Sequence, residues 1–318
     1  MKRVLLSLAA VLVILLVGAI LLCYSRPLAV FAWFERVSLR RNGFKKSSIQ
    51  GTNGRLVVWE AGNGPALVFL HGAGDQAGTW CRIAPHLKSS YRILIPDLPG
   101  HGDSAPAHGP LTIGMELSGV DSLLKTRAAG ERVILVGNSM GGWLAMLYAY
   151  QHPDHVARIV LVNGGALRPE HPLNLTPNTR EEAKRLLSSM QDPGLPNPPD
   201  FVVDDIIRTS HEGPIGRLSL NPADMEHYLL EGHLQEVRTP TDVLWGDEDR
   251  LLGINYARRL KTELPASRLT LLSRCGHIPS RECPIALTAK LRDVLNQTPP
   301  QPTGVVESKS PAAPRAGK

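Results

Sequence analysis

The first pattern in the chain is a run of 20 positions without a charge, from Val4 to Cys23, preceded by Lys2 and Arg3. As a helix, such a run spans about 30 Å, the hydrocarbon thickness of a bilayer. It predicts an uncleaved N-terminal transmembrane anchor over residues 1–25. A cleaved signal peptide would need a small-residue site. The one candidate, Val17-Gly18-Ala19, would leave Ile20-Leu21-Leu22 as an apolar new terminus. Residues 26–46 then read as a basic juxtamembrane segment. Tyr24, Trp33 and Phe34 lie among Arg26, Arg36, Arg40 and Arg41, a mixture suited to the headgroup zone. Leu28–Arg41 reads either as a basic amphipathic helix on the membrane surface or as a helix packed on the domain that follows.

From residue 47, short apolar runs alternate with longer mixed segments, as in a mostly parallel sheet covered by helices on both faces. Ser47–Gln50 and Arg55–Glu60 predict an opening hairpin across Gly51–Gly54. Ala66–Leu70, Arg92–Pro96, Arg132–Val136 and Arg158–Val162 predict buried parallel strands. Helices are expected over Thr79–Lys88, Ile113–Arg127 and Met140–His152. Residues 168–240 hold ten of the 26 prolines and no strand pattern, so they predict an inserted helical cap, with helices over Glu181–Met190 and Pro222–Leu234. The sheet resumes with Thr241–Trp245 and Arg268–Leu272, and Pro284–Leu295 predicts a closing helix. The last segment, 298–318, is rich in Pro, Ala and Ser without periodicity and is expected to be a disordered tail. The α/β core is thus divided into 47–167 and 241–297 around the cap.

Composition narrows the classes. With 43% hydrophobic and 20% charged residues in 318, the chain can fill a core and is neither collagenous nor wholly disordered. The net charge of +6 is local: residues 1–46 carry eight Lys and Arg with Glu35 as their one acid, and the remainder nets −1. The main domain therefore carries no basic footprint for nucleic acid. Positive residues are denser after the span than before it, which favours a cytoplasmic domain by a small margin. Cys23, Cys81, Cys275 and Cys283 form no CxxC pair or zinc spacing and leave the redox compartment open.

The candidate chemistry sits at strand ends. A predicted strand runs into Gly137-Asn138-Ser139-Met140-Gly141-Gly142 and then a helix, the setting of a G-x-S-x-G elbow. A nucleophile on so sharp a turn needs glycines two before and two after it. The helix start then aims N–H groups at developing negative charge. Leu70-His71-Gly72-Ala73-Gly74 follows the third strand, and its Gly-rich backbone can aim an N–H at the same place. Ala73 and Met140 are the expected oxyanion donors; His71 is expected to tie the loop down.

These motifs resemble the α/β-hydrolase superfamily over about Leu56–Leu295, helped by Asp97-Leu98-Pro99-Gly100-His101-Gly102-Asp103-Ser104, similar to that family's turn after the fourth strand. The resemblance implies a nucleophile, acid, histidine order. Ser139 is then the nucleophile. Asp249, three residues after Gly246 in Trp245-Gly246-Asp247-Glu248-Asp249-Arg250, is the acid, with Asp247 the alternative. His277, in Cys275-Gly276-His277, is the base. No cofactor is implied, and no HExxH-type cluster suggests a metal. The function expected is a serine hydrolase of carboxylic esters, esterase- or lipase-like, acting on a small-molecule or lipid ester near a membrane. The elbow is also similar to that of C–C hydrolases of ring-fission products. Those usually carry Trp after the histidine, where this chain has Ile278, and a cap Arg for which Arg208 is a candidate. A non-catalytic binding protein on the same fold is the third reading. Since every proposed catalytic group lies beyond it, a chain starting near Ser47 is expected to be soluble and active.

Overall fold

The computed structural model describes residues 2–171, 174–219 and 222–302. It begins with helix α1 (Lys2–Ser25), long and apolar enough to cross a membrane, with 0% of its apolar window buried in the protein. Arg26 alone separates it from α2 (Pro27–Arg41), where Pro27 supplies the preset φ of a first helical turn. α2 packs on the domain, which decides between its two readings. It buries Glu35 and Leu39, and Leu39 and Phe44 share a core with Trp80, Ile83 and Leu291. Trp33 and Phe34, 55% and 59% exposed, stay outside.

The hairpin β1 (Lys45–Gly51) and β2 (Gly54–Ala61) pairs in register from Lys45 with Glu60 to Gly51 with Gly54. With β3 (Ala66–Leu70), β4 (Arg92–Pro96), β5 (Val133–Asn138), β6 (Val156–Val162), β7 (Thr241–Gly246) and β8 (Ser267–Leu272) it forms an eight-stranded sheet in the order β1-β2-β4-β3-β5-β6-β7-β8. Only the β1–β2 and β2–β4 pairs are antiparallel. Alternate strand residues feed two apolar layers. Val68, Leu70 and Leu135 face α3 (Ile113–Arg127), α4 (Met140–Gln151) and part of the cap; Leu67, Phe69 and Val136 face Leu39 of α2 and the last helix. This is the mostly parallel sheet covered on both faces that the apolar runs predict.

Between β6 and β7 lie α5 (Arg180–Met190), α6 (Asp200–Glu212), α7 (Pro214–Ser219) and α8 (Pro222–His227). After β7 come α9 (Gly253–Glu263), then β8, α10 (Pro279–Glu282) and α11 (Pro284–Asn296). Two local expectations fail. Thr79–Lys88 is not an α-helix but two 3-10 turns, Ala77–Trp80 and Ala84–His86. Pro85 has no N–H for the Cys81 carbonyl, and its ring would crowd that turn. The helix expected to reach Leu234 stops at His227: the Leu230 N–H bonds the Ala166 carbonyl, and Gly232 takes a positive φ of 77°. α6, α7, α9 and α10 carry no expectation. A disulfide joins Cys275 to Cys283 across the turn between β8 and α11. Residues 303–318 of the expected tail, Pro172–Leu173 and Leu220–Asn221 lie outside the described residues.

Candidate active site

β5 ends at Asn138 and α4 begins at Met140, so Ser139 is the whole turn, at φ 52°. A positive φ is unfavourable for a residue with a Cβ and persists only where its surroundings enforce it. Here the enforcement is crowding. A Cβ on Gly137 would lie 2.2 Å from the Gly141 carbonyl carbon, and one on Gly141 would lie 2.2 Å from the Leu70 oxygen. The strand runs two residues further than expected, directly into the serine.

His277 lies in the turn after β8, and Asp249 in the turn after β7. They form a row with Ser139. His277 Nε2 is 2.9 Å from Ser139 Oγ, and His277 Nδ1 is 2.9 Å from Asp249 Oδ2. Both His277 and Asp249 are buried. Burial works to raise the Asp249 carboxyl. The facing His277, the Asn163 amide and the Leu252 N–H outweigh it and hold the group below its ordinary range. Asp247 is elsewhere: exposed, it accepts a 2.8 Å hydrogen bond from the Arg274 N–H in a surface turn.

Met140 opens α4, so its N–H is among the first-turn donors that a helix leaves unpaired. Ala73 lies across the same space, and a Cβ added to the adjacent Gly72 would be 3.3 Å from that of Ser139. His71 does not face this space. Its Nδ1 donates to the Gly72 carbonyl at 2.8 Å, and its Nε2 accepts from the Leu98 N–H at 3.0 Å. Burial lowers the pKa of this ring and keeps it in the neutral form those bonds require. Asp97 anchors the loop further along, accepting from the Ala77 and Asp103 N–H groups.

A cavity of about 190 Å³ opens on Ser139, Ala73 and Met140 under the cap. Trp143, Leu167, Leu218, Met225, Leu229 and Tyr256 make its wall mostly apolar, and Arg168 and Glu226 pair with each other at its edge. Arg208 does not line it. That side chain is spent on Asp205 and Glu212 along α6.

Several groups escaped the sequence reading. Asn163, at φ 47°, donates to Asp249 Oδ2 at 2.7 Å and accepts from the Gly246 N–H at 3.1 Å. Asn138 donates to the Val162 and His277 carbonyls at 2.9 and 3.0 Å, joining the elbow to the histidine turn. Glu282 accepts from the Gly276 N–H at 3.0 Å and the Asp192 N–H at 2.9 Å. Gly164 is forced by contact: a Cβ there would lie 2.2 Å from the Ser139 backbone carbonyl oxygen. The one available signal was Asn163-Gly164-Gly165 closing an apolar run, a local rule for a tight turn that says nothing of its partners.

Residues 67–291 match the model of the Alpha/beta hydrolase family. The chain is 32% identical to a 2-hydroxy-6-oxononadienedioate/2-hydroxy-6-oxononatrienedioate hydrolase of Burkholderia vietnamiensis, over 71% of this chain and 86% of that one. An uncharacterised protein of Mycobacterium tuberculosis is 27% identical over 76% of this chain and 78% of its own length. Among solved structures, a membrane phospholipase A described as a bacterial virulence factor superposes with a TM-score of 0.71 at 27% identity. It covers 93% of this chain and 100% of that one, a span wider than the α/β core alone.

Proposed function

The chain belongs to the alpha/beta hydrolase family, and from that premise we propose that it is a serine hydrolase cleaving carboxylic esters beside a membrane. The observation that carries the reading is the row Ser139–His277–Asp249 opening on a largely apolar cavity. In the proposed reaction Ser139 Oγ bonds to the acyl carbon while His277 Nε2 takes its proton. Asp249 fixes the imidazole tautomer and stabilises its cation. The Ala73 and Met140 N–H groups hold the oxyanion. The C–O bond then breaks, and the alcohol leaves with the proton from His277. Water attacks the acyl-enzyme by the same route in reverse, freeing the acid and Ser139. The test is labelling by a fluorophosphonate together with turnover of p-nitrophenyl esters of rising chain length. Ser139→Ala should lose the label and lower turnover by about 10⁴- to 10⁶-fold; a tenth of wild-type activity remaining would remove Ser139 from the role.

A second reading, C–C bond hydrolysis, is favoured by the likeness to the hydrolase from Burkholderia vietnamiensis. A dienedioate of the kind in that protein's name carries two carboxylates. In this cavity Arg168 is already paired with Glu226, and Ile278 follows the histidine. The cavity thus suits an uncharged acyl chain better. Turnover of a ring-fission dienoate exceeding that of every ester would reverse the order of the two readings.

The membrane reading rests on α1, which would anchor the domain as a single span, and on the likeness to a membrane phospholipase A. The Cys275–Cys283 disulfide supports a domain on the oxidising side, against the small charge margin that favoured the cytoplasm. Part of that margin came from cations used within the domain. Arg36 and Lys46, for example, both pair with Asp103.

A further inference from the structure

Glu35 is the one acid of α2, and it is 6% exposed. Its partners are not on its own helix. Oε1 accepts from Arg281 Nε at 2.9 Å; Oε2 accepts from Arg281 Nη2 at 2.9 Å and from Gln76 Nε2 at 2.8 Å. Arg281 Nη2 also donates to Asp75 Oδ1 at 2.8 Å, and the Gln76 N–H donates to that same oxygen at 2.8 Å. Arg281 lies in α10, four residues beyond His277; Asp75 and Gln76 lie two and three residues beyond Ala73. The helix is set close against this loop. A Cβ on Gly78 would lie 2.7 Å from the Glu35 Cβ, and the Arg281 guanidinium sits 5.3 Å from the centre of the Phe31 ring.

The sheet cannot do this work. The oxyanion loop leaves β3 and the histidine turn leaves β8, and β5, β6 and β7 stand between those strands. Beyond the strand ends the two loops are joined by the Arg281–Asp75 pair and a 3.1 Å Thr79–Ser280 hydroxyl contact. A half-buried guanidinium shared by two carboxylates is geometrically demanding, because its donors are fixed in a plane. We propose that Glu35 is a positioning residue: by gripping Arg281 and Gln76 it sets the oxyanion loop and the histidine turn relative to each other, so the helix emerging from the anchor is part of what shapes the hydrolase site. The inference rests on the hydrolytic reading above. Oxyanion donors act over a few tenths of an ångström, and misplacement by about 1 Å can lower a rate about 10²-fold.

The test uses the full-length protein in detergent, with p-nitrophenyl butyrate and a fluorophosphonate. Glu35→Gln keeps the size and a hydrogen-bonding oxygen but removes the charge. It should lower kcat about tenfold with KM within about twofold and slow serine labelling in parallel. Glu35→Asp, which restores the charge, should recover part of kcat. Leu39→Ala, on the same helix and 0% exposed, should lower Tm by about 5–10 °C and leave kcat unchanged. Wild-type kcat and labelling in Glu35→Gln would overturn the inference. So would a Leu39→Ala protein that lost kcat in step with its loss of Tm, since the helix would then act only as scaffold. A wild type that neither takes the label nor turns over ester would fail earlier, overturning the hydrolytic reading and this inference together.

Discussion

Asp249 and Asp247 stand two residues apart in one turn, and their surroundings separate them. Only Asp249 reaches the imidazole, and four donors converge on it: His277, Asn163 and the N–H groups of Leu251 and Leu252. Asp249→Asn should lower ester turnover about 10⁴-fold by leaving the imidazole in the wrong tautomer, whereas Asp247→Asn should change it by no more than severalfold. Steady-state rates at neutral pH decide between them. The donors also set a pH dependence. Because the folded pKa of Asp249 lies below its ordinary value near 4, its ionised form adds stability at pH above about 4, and that stability is lost as pH falls through the depressed folded value. Asn163→Asp would replace a donor with a like charge and raise the Asp249 pKa. The loss of thermal stability on acidification should therefore begin at higher pH in that variant; an unmoved acid transition would mean that Asn163 does not tune the acid. Glycines, strand ends and chain order mark Ser139, Asp249 and His277 in the sequence, and the structure brings those three side chains into one row. Asn163, Asn138 and Glu35 carry no such mark. Each is a single polar residue whose partners lie 24 to 246 positions away, and no local pattern encodes such a partner.

Strands were the most legible elements, because a buried parallel strand is a short apolar run with punctuation at its end. Helices were less so. Over Thr79–Lys88 the apolar spacing suggested a helix that Pro85 forbids, while the prolines around Asp200–Glu212 hid an amphipathic one. The helix after the apolar run, α2, was the most consequential ambiguity. Its cations suggested a lipid surface, yet it buries Leu39 beneath the sheet and is followed by the buried Phe44. Removing both side chains sacrifices several kcal/mol of packing, comparable with the whole margin of many domains, and leaves Arg281 without Glu35. A chain beginning at Ser47 should therefore aggregate or melt far below full-length protein, in contrast to the expectation drawn from the catalytic residues alone. One beginning at Pro27 should keep both Tm and kcat on short water-soluble esters. Thermal melts of the two chains separate these outcomes, and equal Tm values would mean that α2 is dispensable to the fold.

At the scale of the whole molecule, the proposed anchor and the disulfide make a joint prediction about place. In sealed, right-side-out vesicles an added protease should digest the catalytic domain without detergent, and alkaline extraction should leave the protein in the pellet. Protection of the domain in those vesicles would put it in the reducing compartment and contradict the reading of Cys275 and Cys283. One feature of the backbone then governs how such an enzyme meets its substrate. Only Arg26 stands between α1 and α2, and α2 is itself bound into the domain. One residue reaches at most about 3.6 Å, so the domain is not a ball on a string sampling a hemisphere of solvent. With α1 in a bilayer, its cavity would be carried at a nearly constant height above the lipid. Encounter would become a search in two dimensions, by lateral diffusion. The concentration governing turnover of a lipid ester would then be its mole fraction in the leaflet, whatever the volume of water around it.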